Sequence, residues 1–65
     1  MENNELIKLE ARKMHVPLWR LGDRLGVSEA TVQRILRRPI TKERYELYRG
    51  AIRDLAREEA QRRED

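Results

Sequence analysis

The chain has 65 residues, no cysteine and one histidine, with 15 basic against 12 acidic side chains for a net charge of +3. A chain of this size has room for one domain and buries only about 60% of its unfolded surface. Lacking cysteines and clustered histidines, it has no disulfide framework or zinc site to staple the fold, so an apolar core must hold it alone. The start, Met-Glu-Asn-Asn-Glu, lacks the basic opening and long apolar run of a signal peptide. No apolar stretch approaches the ~20 residues of a membrane span, so a cytoplasmic protein with no membrane partner is expected.

The predicted elements are all helical. Asn3 or Asn4 can cap a first helix running to about Met14, with Leu6, Ile7, Leu9 and Met14 turned inward. Glu10 falls among those apolar positions and either meets an arginine of a neighbouring helix or skirts the core. His15 follows at the helix end, where a cation or weak donor suits the last carbonyls. Val16-Pro17 opens the next helix, because the N–H that proline lacks would be unpaired there.

Leu18, Leu21 and Leu25 recur at one-turn spacing and mark the buried side of that second helix, and Gly26 can take the positive φ that stops it. Gly22, in mid-helix, fits a close crossing of two backbones. Trp19 lies beside this stripe, either as a partly buried anchor on the first or last helix or as an indole N–H offered to a phosphate. Ser28 then caps a third helix, with Val27 and Val32 placed to form a hydrophobic staple. The wheel of this helix separates Val32, Ile35 and Leu36 from Ala30, Gln33, Arg34 and Arg37. Pro39 ends it, placing its span at residues 28–38. Thr41 caps a long last helix, whose inner stripe is Tyr45, Tyr48, Ile52, Leu55 and Ala56. Residues 57–65 hold alanine as their sole apolar type and read as a solvated end with pairs such as Glu58 to Arg62, fraying toward Asp65. The sum is a single all-α domain over residues 1–65, a bundle of four helices containing a helix-turn-helix at residues 18–37.

That segment resembles the helix-turn-helix of phage repressor and Cro-type regulators, and more distantly small regulators of mobile elements. Gly22, Gly26, Val32 and Ile35 meet the family's spacing, and Leu21, Leu25 and Val27 fill its other apolar positions. The resemblance implies a sequence-specific double-stranded DNA-binding protein, a small repressor-like regulator of transcription. Residues 28–38 would enter the major groove, with Ser28, Glu29, Ala30, Gln33, Arg34 and Arg37 reading bases. Thr31, Arg38, Lys42, Trp19 and Arg20 are the candidates for the DNA backbone. The chain departs from the family at Leu18, where many relatives carry a phosphate-binding glutamine. Charge agrees with the resemblance, since residues 28–44 hold five basic and two acidic side chains and so carry a surplus equal to the whole net charge.

A module this small needs a second copy for affinity, so a homodimer on a palindromic operator is expected, with Leu47, Gly50 and Ala51 as the candidate seam beside Leu55. An accessory DNA-binding factor of excision or partition, or a protein-interaction module retaining the fold, are the alternatives. An enzyme is not expected. The single histidine, the absent cysteine and the absence of a glycine-rich phosphate loop leave no catalytic set, and Glu58-Glu59 falls in the charged end. No cofactor, metal or small-molecule effector is indicated.

Overall fold

The computed structural model describes residues 1–63, and the fraying expected at Asp65 lies outside them. Four helices follow one another: α1 (Asn3–Lys13), α2 (Leu18–Leu25), α3 (Glu29–Ile35) and α4 (Lys42–Arg63). There is no strand among the described residues, and the protein is an all-α bundle. Each helix contributes to one core, whose fully buried side chains are Ile7 from α1, Leu21 from α2, Val32 from α3, Leu36 just after it and Ile52 from α4. Burying each such side chain is worth about 1.5–3 kcal/mol.

Two helix ends are built alike. After α1, the Val16 N–H donates to the Ala11 carbonyl at 2.8 Å and the His15 N–H to that of Arg12 at 3.2 Å. After α2, Val27 donates to Gly22 at 2.9 Å and Gly26 to Asp23 at 3.3 Å. Both pairs of bonds satisfy carbonyls that a helix end leaves open, and both need a left-handed residue between helix and exit. Gly26 supplies it at φ 77°, as its sequence position predicts, and His15 supplies it at φ 58°. His15 therefore serves its helix end through its backbone rather than as a side-chain cap.

The turn Gly26-Val27-Ser28 folds α3 directly against α2, and the closeness of that packing is measurable at Gly22. A Cβ there would stand 2.7 Å from the Val27 carbonyl oxygen and 3.2 Å from a Val32 methyl. Glycine is thus required by space, not by backbone conformation. Ser28 caps α3 as predicted, its Oγ accepting from the Thr31 N–H at 3.2 Å. Thr41 does the same for α4, its Oγ1 accepting from Arg44 N–H at 3.1 Å.

Elsewhere the structure corrects the sequence reading. Neither Asn3 nor Asn4 caps α1, since Glu2 occupies that position with no side-chain bond. The inner face of α1 is Asn4, Ile7 and Ala11, spaced three and four apart, while Leu6 is exposed and Leu9 half-buried. Ala51, assigned to the candidate seam of α4, is 9% exposed and belongs to the core, and Leu55, placed beside that seam but also on the inner stripe, is 4% exposed as the stripe predicts. Glu10 does find an arginine, Arg53 of α4, at 3.7 Å.

The charged half of α4 is not merely solvated. Arg20 of α2 donates to Glu59 at 2.9 Å, and one turn along Arg24 donates to Glu58. These two rungs hold the polar end of α4 against α2. Arg62 accordingly reaches Glu59 at 4.0 Å rather than Glu58. The Arg24 hydrogen bond, only partly opposed by desolvation, holds the Glu58 carboxyl below the ordinary carboxylate value. The same bond raises Arg24 further into its charged range.

Candidate nucleic-acid interface

With Val32 and Leu36 buried, the opposite side of α3 is left to Glu29, Ala30, Gln33 and Arg34, all exposed. Within that face Gln33 Nε2 lies 3.4 Å from Glu29 Oε1, a long contact between positions four apart that leaves the amide's second N–H and its oxygen open. Ser28 and Thr31 are turned toward each other, their hydroxyl oxygens 3.0 Å apart, so both are engaged in the cap. Ala30 between them adds no bulk that would keep a partner at a distance.

The helix ends sooner than expected, at Ile35 rather than residue 38. Leu36 still donates to Val32 at 3.0 Å, but Arg37 donates to Arg34, a tighter i to i−3 turn at 3.3 Å. Pro39 then lacks an N–H and disfavours helix in Arg38 before it. Arg37 and Arg38 therefore stand in the turn after α3, not on its outward stripe. The consequence is a shared cleft of about 540 Å³, lined by Arg34, Arg37, Arg38 and Arg44 over Ile35 and Ile40.

Four arginines in the lining of one cleft, with no acidic residue among the lining residues, concentrate positive charge there. None of the four takes part in an ion pair among the described residues, whereas Arg20, Arg24, Arg53 and Arg62 each meet a glutamate. Arg44 was missed by sequence reasoning. Its signal was its position at the end of the basic block 28–44, one helical turn after the Thr41 cap.

The remaining candidates distribute unevenly. Lys42 is exposed at the first position of α4. Arg20, with a side chain only 17% exposed and bound to Glu59, is committed to α4 and drops out of the set available to a phosphate. Trp19 is 56% exposed, so it is not the partly buried anchor that the sequence also allowed. Leu47 is 60% exposed, and a Cβ built on Gly50 meets nothing within 4 Å. With Arg24 and Leu25 they line a second, shallow groove of about 380 Å³ between α2 and α4, of which the core residue Ala51 forms part.

Among the described residues, no group of three His, Asp or Glu side chains is placed to hold a metal ion, and no helix is long and apolar enough to cross a membrane. Comparison of the chain with protein-family models, curated proteins and solved structures gave no match.

Proposed function

We propose that this protein binds double-stranded DNA in a sequence-specific manner, as a small regulator with α3 in the major groove. The observation that carries the reading is the continuity of the exposed face of α3, through Arg34, with three further arginines that, like it, make no ion pair among the described residues. Gln33 is suited to the adenine edge and Arg34 to the guanine edge, each good bidentate contact being worth about 1–3 kcal/mol of discrimination. Arg37, Arg38 and Arg44, in the turn and first turn of α4, are suited to phosphates on the flank of the same groove, where charge rather than sequence is recognised. Their clustering favours a polyanion over a single carboxylate.

A seven-residue helix offers few base contacts. Two copies on a two-fold site, with half-sites roughly 34 Å apart, would add theirs, and the exposed Leu47 beside the open Gly50 is an apolar surface that could serve pairing. Selection of bound duplexes from a random pool tests both parts. A recovered palindrome supports the reading, and a pool without enrichment overturns it. Arg34→Ala and Gln33→Ala should each relax preference at defined positions of that site while thermal unfolding stays as in the wild type.

A further inference from the structure

The turn that carries the arginines makes little structure of its own. Among the described residues, its backbone from Arg37 to Ile40 contributes a single hydrogen bond to the rest of the backbone, that of Arg37 N–H to Arg34 at 3.3 Å. What holds it comes from the other end of the sequence. Asn4 Nδ2 donates to the Leu36 carbonyl at 2.8 Å, satisfying one of the open carbonyls at the end of α3. Asn3 grips Ile40 on both sides, its Nδ2 donating to the carbonyl at 2.6 Å and its Oδ1 accepting from the N–H at 2.9 Å. Arg37, Arg38 and Pro39 are the three residues between these anchor points.

We infer that Asn3 and Asn4 are positioning residues for the arginine cleft, fixing the turn so that its guanidiniums are placed before a phosphate backbone arrives. The paired bonds of Asn3 copy the donor and acceptor pattern of a neighbouring strand, which sets the orientation of the Ile40 peptide as well as its distance. Asn4 is 5% exposed, so its bond lies where water does not compete and electrostatic attraction is least screened. Its Oδ1 has no hydrogen-bond partner among the described residues. An apolar side chain would avoid burying that acceptor, and the amide's evident service at this position is its grip on Leu36. Pre-placed arginines lose less freedom on binding than arginines on a loose turn, and affinity gains by that difference.

The inference rests on the DNA reading, and its test separates the two. Wild type, Asn3→Ala and Asn3→Asp are compared in the full chain by circular dichroism, by ¹⁵N order parameters of the free protein and by affinity for a random-sequence duplex at low salt. Asn3 is only part-buried, and Asn3→Asp keeps the acceptor for Ile40 N–H while losing the donor, so it reads the grip if the alanine variant folds poorly. The expected result is unchanged helix content, with the Arg37 and Arg38 amides falling from the rigid range near ~0.85 toward ~0.6 in Asn3→Ala and less far in Asn3→Asp. Duplex affinity of Asn3→Ala should fall about three- to tenfold, less than the full worth of the two hydrogen bonds it loses because only their effect on the arginines reaches the duplex. Amides as ordered as in the wild type overturn the grip whatever the DNA result. Amides that loosen with affinity unchanged overturn the positioning role. A wild type that fails to bind duplex removes the DNA reading itself and the positioning role with it, a result seen before any variant is compared.

Discussion

The same small substitution should have opposite effects at two glycines of this fold. In Gly22→Ala the new methyl would lie 2.7 Å from the Val27 carbonyl oxygen and 3.2 Å from a Val32 methyl, well inside the 3.5–4.0 Å or so at which such atoms attract. Neither neighbour can yield cheaply. Val27 belongs to the turn and is held by its own N–H on Gly22 at 2.9 Å, and Val32 is completely buried. An approach of 2.7 Å puts the overpacking in the upper part of its usual range, about 2–3 kcal/mol, and alanine returns about 1 kcal/mol in helix propensity, so a net loss of about 1–2 kcal/mol is expected. For a domain of this size each kcal/mol moves Tm by roughly 4–8 °C, which places Gly22→Ala about 4–16 °C below the wild type. Gly50→Ala faces open space on an exposed helix surface and should raise Tm by about 4–8 °C. Thermal unfolding followed by circular dichroism on the two variants is the assay. A Gly22→Ala protein as stable as the wild type, or a Gly50→Ala protein less stable than it, would refute the packing argument.

Val32→Ala removes two methyls from a fully buried site at the centre of the bundle and should destabilise it by about 1–3 kcal/mol in denaturant titration, with no change in which DNA sequence is preferred. The bond from Arg24 favours the Glu58 carboxylate in the fold, so the contribution of that pair is complete above the ordinary carboxylate value and is lost as pH falls through the lower folded value. Melting temperatures across the acidic range should therefore fall less steeply in Glu58→Gln than in the wild type, and identical slopes would show that the rung contributes nothing. Leu47→Glu should weaken self-association and operator binding together while leaving Tm close to that of the wild type, since Leu47 is 60% exposed; sedimentation with and without operator reads both.

What the sequence made legible was what residues close in the chain decide among themselves. Gly22 and Gly26, the Ser28 and Thr41 caps, and the inner stripes of α2 through α4 depend on neighbours within the same helix or the adjoining turn and helix, and the structure follows them, with Ala51 added to the stripe of α4. The failures share a different character. An asparagine at a helix start is a sound cap by local chemistry, yet Asn3 and Asn4 spend their amides on residues 37 and 32 positions away. Glu58 and Glu59 look solvated beside Arg62, yet they meet arginines 34 and 39 positions back. Arg20 left the phosphate-contact set for the same reason. The early end of α3 was a matter of degree: Pro39 was visible, but the tightening at Arg37 that moved two arginines off the helix was not. The exposure of Trp19 has no explanation in the packing around it.

The placement of α1 gives the bundle a particular kind of cooperativity. Ile7 and Ala11 on its inner face complete the core, while Asn3 and Asn4 at its first turn hold the exit from α3. One rigid rod thus closes the interior and tethers the surface. An excursion that lifts α1 away opens the core and frees the arginine turn in the same motion, even where the tightly packed α2 and α3 stay together. No opening that lifts α1 leaves the turn its anchors, so along that motion the order of the charged face and the integrity of the interior rise and fall together.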